Sequence, residues 1–410
     1  MRILPISFKI NTLKNTNTNK TTPFPNPALN QDSVSFSGVR QAGQKQKETV
    51  QALGKDLKQN SIKEISTIKN KVKHVHEKSR LIQKEGAEAL TKSIKVQVTA
   101  NREFELASKL LADAQENNWK EREAKNGKLS REFIFLRDSE DDLMGSCIMS
   151  NSKGENIRII RFKTIDGKIT PYKIITNKNN SAARYSYNRQ GALKNSSVVT
   201  YGEKPFQEDY DFSKEKLVGY SIQRKTDGKE TPTENLYYFD NDGNLTAADK
   251  GFLQTEDDEV WIEEEFNFSK NGLTSYFELY TKSVEENTKT YKKFIDFQKA
   301  KDSYTYESNV TEDSKGNKLT GKKLIVKAGQ AQDYFVNLVT ENNKQTACAR
   351  RVELHNGKIH TIALNENNLG KDAKEAEKLF KFKNGKLTNY AKNAKTVAGL
   401  LVESDREINF

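Results

Sequence analysis

The chain has 410 residues, 34% apolar and 30% charged, with a formal net charge of +12. So little apolar content can cover one face of a sheet but not both, and no apolar run reaches the ~18 residues that a membrane-spanning helix needs. Two cysteines, Cys147 and Cys348, stand far apart with no CxxC spacing, which argues against a disulfide framework and a structural zinc site.

The charge is uneven. Residues 1–128 carry 24 Lys+Arg against 13 Asp+Glu, whereas residues 129–410 carry 44 against 43. A basic segment attracts nucleic acid or acidic membrane at long range. Positive charge alone is a weak sign of nucleic-acid binding, so a solvated Lys-rich segment is the expectation.

In chain order, residues 1–44 are rich in Asn, Thr, Ser and Pro, with a short apolar island at Val34 and Phe36. Such a composition cannot offset the entropy of ordering and predicts a disordered leader. Asn11, Thr12 and Lys14 interrupt the first apolar stretch before a signal-peptide core forms. The expectation is a cytoplasmic chain, or one exported by a route without a signal peptide.

Residues 45–124 are rich in Gln, Lys, Glu and Ala and contain no proline. Ile65, Ile68, Val72, Val75, Ser79, Ile82, Gly86 and Ala89 alternate steps of three and four, and Phe104, Ala107, Leu111 and Ala114 keep the rhythm. That spacing predicts a basic amphipathic helix or coiled-coil-like stalk with a thin apolar stripe, broken in register between Leu57 and Ile65. One long helix and a helical hairpin bent near Gly86 both satisfy it. The stripe calls for a partner in the same chain or another.

From residue 125 the period changes to two. An apolar-any-apolar doublet recurs nine times: Ile160/Phe162, Tyr185/Tyr187, Tyr210/Phe212, Tyr237/Phe239, Phe266/Phe268, Ile295/Phe297, Leu324/Val326, Val352/Leu354 and Phe380/Phe382. The steps run from 25 to 29 residues. A fixed period in this range marks a repeat architecture. Asn126-Gly127, Asp166-Gly167, Asp227-Gly228, Asp242-Gly243, Asn271-Gly272, Asn356-Gly357 and Asn384-Gly385 supply tight hairpin turns. The fold class expected is mainly β with an N-terminal helical segment. The β part is an antiparallel hairpin meander of about nine units and about eighteen strands, open or spiralling rather than closed. Residues 371–379, KDAKEAEKL, have helical composition, and Val397–Val402 read as a last strand.

No constellation of catalytic residues emerges, and no cofactor or metal site is expected. In residues 239–249, FDNDGNLTAAD, an EF-hand alignment would place Tyr238 at the first ligand position, so the turn itself is the better account. His74 and His76 would point about 200° apart on a helix. His355 and His360 could face each other across a hairpin but lack a third ligand. The aromatic doublets alternate with polar residues, as a packed sheet face does, rather than forming a stacking stripe for glycans or single strands.

At Tyr185–Leu193 and Tyr237–Leu245 the unit resembles the YD repeat of bacterial RHS-type proteins, a strand–turn–strand module. The basic residue that follows Gly in that family is absent from both segments. The resemblance implies a spiralling β-sheet that forms a shell or surface, often on secreted or cell-surface proteins. It assigns no functional residue.

The function expected is a non-enzymatic interaction or scaffold protein that presents a β-repeat surface to a protein or glycan, with a possible helix partner through residues 45–124. A secreted or cell-surface effector is the alternative. An outer-membrane barrel is disfavoured: Glu263-Glu264-Glu265, Lys292-Lys293, Lys322-Lys323 and Arg350-Arg351 put charge on both strand faces, and a lipid-facing charge costs about 2–4 kcal/mol.

Overall fold

The computed structural model describes residues 36–119, 130–139, 142–203, 205–224, 233–256, 258–284, 287–312, 318–340, 346–365, 375–397 and 400–410. The turns at Asn126-Gly127 and Asp227-Gly228 lie outside them, as do residues 1–35. The chain divides into two units, Met1–Thr49 and Val50–Phe410. Of the first, only the opening turns of helix α1 (Phe36–Glu116) are described; the second holds the rest of that helix and every strand.

α1 is one unbroken 81-residue helix that runs through Gly86 without a bend into a hairpin. It starts at Phe36, inside the segment expected as leader. The expected stripe is buried: Ile65, Ile68, Val72, Val75, Ser79, Ile82, Ala89, Ala107, Leu111 and Ala114 are all at most 7% exposed. The apparent slip between Leu57 and Ile65 is filled by Ser61, fully buried, whose hydroxyl donates back to the Leu57 carbonyl at 2.7 Å. A serine read as polar is thus a seam residue, its hydroxyl satisfied within its own helix. α1 ends at Asn118 and Trp119, both with positive φ, and the Trp119 amide donates to the Ala114 carbonyl at 2.7 Å. The stripe is covered by the chain's own sheet, so this segment is not a free stalk.

Among the described residues the sheet has 22 antiparallel strands in sequence order. They are β1 (Ser130–Ser139), β2 (Asp142–Ser150), β3 (Asn156–Ile165), β4 (Lys168–Lys178), β5 (Ser181–Tyr187), β6 (Leu193–Thr200), β7 (Phe206–Ser213) and β8 (Lys216–Arg224). Next come β9 (Thr233–Phe239), β10 (Leu245–Glu256), β11 (Asp258–Ser269), β12 (Gly272–Val284), β13 (Asn287–Phe297), β14 (Tyr304–Glu312) and β15 (Lys318–Lys327). The last are β16 (Gln330–Thr340), β17 (Thr346–His355), β18 (Lys358–Asn365), β19 (Glu375–Lys383), β20 (Lys386–Val397), β21 (Leu400–Glu403) and β22 (Arg406–Asn409).

The nine doublets fall on the odd strands β3 to β19 and point at the helix; Ile160, Phe162, Phe266, Ile295, Leu324, Val352 and Phe380 are 0% exposed. Phe133 and Phe135 on β1 form a tenth copy, 27 residues before the first. The sheet does not close. Among the described residues β1 pairs only with β2, and the other edge is shared by β21 and β22, which both pair with β20. These last two strands have four residues each, and short edge strands limit unwanted pairing. Among the described residues, no helix is long and apolar enough to cross a membrane.

Simple alternation fails at one point in eight of the nine units. Leu217 pairs with Phe212, but Gly219 pairs with Asp211, so Val218 is an extra residue. The same bulge follows in seven other hairpins, with Tyr172, Lys194, Thr246, Thr274, Gln332, His360 and Thr388 as the extra residues. The β13–β14 hairpin has none. A bulge shifts the strand by one residue, so the first two inward residues after the turn stand three apart: Leu217 and Tyr220, Leu245 and Ala248, Leu273 and Tyr276.

Asp166/Gly167, Ala328/Gly329, Asn356/Gly357 and Asn384/Gly385 take paired positive φ, the conformation that matches strand twist. Lys214/Glu215 adopt it with neither Asn nor Gly, at φ 49° and 64°. The double substitution Lys214→Asn/Glu215→Gly is therefore expected to stabilise the protein by about 1 kcal/mol. Thermal melting checks this; an unchanged or lower midpoint would contradict it.

Two C-terminal expectations need correction. Glu375–Leu379, read as helical, belongs to β19, where pairing with β20 overrides local helix propensity; residues 371–374 lie outside the described residues. Val397–Val402 is not one strand. Val397 ends β20, and Leu400 begins β21, which folds back on it.

Candidate interaction surface

From Val50 onward α1 runs opposite to the order of the hairpins, so its residues near Gly54 and Lys58 lie over the C-terminal strands. Seven helical residues rise ~10.5 Å, and two strands span ~9.6 Å. One helical heptad therefore serves one hairpin. Glu64 reaches Lys322 on β15 at 3.6 Å, and Lys71 lies 5.8 Å over the Tyr291 ring on β13. Lys78 meets Glu264 on β11 at 2.6 Å, Glu85 accepts from Tyr237 on β9, and Lys92 meets Glu208 on β7 at 2.6 Å. Each step of seven along the helix is a step of two strands along the sheet. A strict seven-residue seam drifts ~20° per heptad around a straight helix, so helix and hairpins must wind about each other in a left-handed sense.

Small seam residues permit the close approach. A Cβ on Gly86 would stand 3.3 Å from Leu245, and one on Gly54 would stand 3.1 Å from Leu387 and 3.2 Å from Phe380. Tyr187 donates its hydroxyl to the Ala100 carbonyl at 2.7 Å. Burial pushes the Tyr187, Tyr220, Tyr237, Tyr276 and Tyr334 hydroxyls well above the ordinary tyrosine range, so they act as donors at any neutral pH.

Two residues before most doublets stands a polar side chain on the helix-facing side: Arg158, Glu208, Asn235, Glu264, Lys293, Lys322, Arg350 and Lys378. Arg158 pairs with Glu103 at 2.8 Å, and Arg350 pairs with Glu64. The densest group is on β11–β13. Glu264 accepts from Lys78 and from Tyr276, while Glu278 accepts from Tyr276 and from Lys293 at 2.6 Å. Burial pushes the Glu278 carboxyl up, but the bonds from Lys293 and Tyr276 outweigh it and hold the group below its usual range. These polar contacts form a rail between helix and strands that fixes register: a slip by one hairpin towards β13 would set Lys78 beside Lys293 instead of Glu264.

With the inner face taken by α1, the outward face is the large unpaired surface of the described residues. Tyr238, Trp261 and Phe294 are 41%, 44% and 42% exposed there. A Cβ on Gly251 would stand 3.7 Å from the Trp261 ring, so that indole lies flat along the sheet. From β14 to β17 the outward charges are paired across strands: Lys323 with Glu307 at 2.7 Å, and Arg351 with Asp333 at 3.0 Å. From β3 to β11 like charges adjoin. Arg161 stands directly opposite Lys173, and Asp249 directly opposite Glu265.

The Asp249 carboxyl is pushed above its ordinary value by burial, then by Glu265 and Glu263, against a hydrogen bond from Tyr238. A raised folded-state value costs stability once the group ionises. The cost is absent below the ordinary value of 3.8 and complete above the folded value. Asp249→Asn is thus expected to stabilise by less than about 1 kcal/mol at pH 7, with the gain vanishing near pH 3. Urea melts at the two pH values check this; an equal gain at both would contradict it.

The residues singled out in sequence occupy plain roles. His355 and His360 do face each other, stacked with ring centroids 4.3 Å apart across their turn. Asp240 caps its turn by accepting from the amides of Asp242 at 2.8 Å and Asn244 at 2.9 Å. His76 packs on Phe297, whereas His74 lies near Glu77. Cys147 is a free, buried thiol pushed up to about 11 by burial. Sequence reasoning missed the helix-facing polar position, although Glu264 on the apolar side of its strand was its visible sign.

No family model and no curated protein matches this sequence. Among solved structures, a crystal structure of TcdB2-TccC3 is similar at 9% identity and a TM-score of 0.16, over 67% of this chain and 19% of that chain. The chain thus spans about a fifth of that structure's length, and a likeness at this level carries no argument about fold or function.

Proposed function

We propose that this chain is a non-enzymatic interaction scaffold, a hairpin-repeat sheet stiffened by its own helix and presenting the outward face to a protein or glycan. The observation that carries this reading is the division of labour between the faces. One is consumed by α1, and the other bears exposed Tyr238, Trp261 and Phe294 beside segregated charge. Exposed aromatic patches of this kind mark recognition surfaces on soluble proteins. The likeness of the hairpin unit to YD repeats, which build surfaces, agrees with it.

Of the two tryptophans, Trp119 stacks at 5.4 Å on the buried Phe162, whereas Trp261 faces outward. In a Trp119→Phe chain the emission therefore reports the outward face. Titration with neutral, uronic and sulfated glycans and with peptide libraries is expected to give a saturable shift that Phe294→Ser removes. Turnover of a small molecule by the chain, with no saturable shift, would overturn the proposal.

A further inference from the structure

Charge is laid out differently along one face of one sheet. Between β14 and β17 each outward cation of the ion pairs sits beside an acid on a neighbouring strand. Between β3 and β7 the signs separate into bands. Arg161 on β3 is directly opposite Lys173 on β4, and Arg184 follows on β5. Lys173 is held below the ordinary lysine range by burial, then by Arg184 and Arg161. Like charges opposite each other destabilise a sheet, and among the described residues none of these three has an ion-pair partner.

β7 carries the converse band. Asp209 and Asp211 both point outward; the Gln207 amide donates to Asp209 at 2.8 Å, and Lys194 is the cation that faces Asp211. β6 lies between the bands and presents the uncharged Asn195, Ser197 and Val199 beside Lys194 at its bulge, while β8 beyond presents Gly219, Ser221 and Gln223. Two bands of opposite sign on either side of β6 are self-complementary under a two-fold axis along that strand.

We propose that a second copy of this chain docks on the outward face of β3–β9, with the two-fold axis along β6. Arg184 of each copy then lies against Asp209 of the other, because both residues pair with Ser197 one strand from the axis, and Lys173 stands at the register of Asp211 one strand further out. Six strand spacings of ~4.8 Å and eight residues of ~3.3 Å outline a patch of roughly 750 Å² per copy, the size of a standard specific interface. The inference rests on reading the outward face as an interaction surface, and it names the partner.

Sedimentation equilibrium of the full chain tests it. Wild type is expected to dimerise, with the dissociation constant rising about tenfold or more between about 50 and 500 mM salt. The acid-substituted variant Arg161→Glu/Arg184→Glu and the base-substituted variant Asp209→Arg/Asp211→Arg are each expected to be monomeric. Mixed in equal amounts they are expected to form a one-to-one heterodimer, because both contacts become complementary again. Far-UV circular dichroism and melting confirm that both variants fold; if either does not, Arg161→Ala/Arg184→Ala replaces it and is expected to weaken the dimer about tenfold or more. A wild type that stays monomeric to about 100 μM, a dimer indifferent to both charge reversals, or folded variants that do not pair would each overturn the proposal. A monomer whose Trp261 emission still saturates with another ligand would overturn the dimer while leaving the outward-face reading intact.

Discussion

Lys293→Met is expected to destabilise the protein by about 3–5 kcal/mol, the usual cost of removing one partner from a buried ion pair. Lys293 is 9% exposed and its partner Glu278 19%. Without the ammonium, Glu264 and Glu278 would share the Tyr276 hydroxyl, with Lys78 bound to the Glu264 side only. The loss should carry a pH signature. In the wild type Glu278 is depressed, so its contribution is present above the ordinary value of 4.5 and lost as pH falls through the folded value. In the variant the same carboxyl is desolvated without its cation, its value rises, and acid relieves the cost. The gap between variant and wild type is therefore expected to narrow from pH 7 to pH 4. Denaturant melts at both values check this; a gap that is constant or widens in acid would contradict it.

Phe266→Ala is expected to cost about 3–5 kcal/mol, lost transfer energy plus the cavity left behind. Phe266 is 0% exposed and packs at 4.9 Å on Tyr276, itself 0% exposed. The site cannot collapse easily, because the ring lies between the helix seam and a strand bonded on both sides. Tyr276 would lose the wall that aims its hydroxyl at Glu264 and Glu278, so the rail should loosen with the core. Phe294→Ala on the adjoining outward face is the control, expected to cost less than about 1 kcal/mol, because its ring is 42% exposed. Equal costs for the two would contradict the assignment of faces.

Much of this fold is legible in the sequence, for identifiable reasons. The doublets mark every odd strand from β3 to β19 because inward aromatics need a period of two, and Asn-Gly pairs mark turns because those turns need positive φ. The helical stripe is legible because a seam facing one continuous surface must repeat every three or four residues. The bulge is harder to see, since it breaks alternation just after each turn; its sign is the three-residue spacing in Leu217 to Tyr220 and Leu245 to Ala248. Residues 375–379 look helical because their composition is; only pairing with β20 makes them a strand. The rail of Glu64, Lys71, Lys78, Glu85 and Lys92 reads as an ordinary charged flank of the helix. Its meaning requires knowing that the helix runs against the hairpins, a long-range fact that no local pattern carries. The outward charge bands likewise need the register of β3 to β7 before Arg161, Lys173 and Arg184 become neighbours.

One helical heptad serves one hairpin, and paired deletions in α1 test this match most directly. Removing residues 87–93 turns the N-terminal part of the helix by only ~20° and slides it by one hairpin, so the seam still faces the sheet. Removing Ala87 and Glu88, both exposed, turns that part by about 200° and points its apolar stripe at solvent. Native-state hydrogen exchange along the helix is the measurement. The seven-residue deletion is expected to keep slow exchange on both sides of the junction, and the two-residue deletion to lose it on one side. Equal protection in the two deletions would contradict the match between heptad and hairpin.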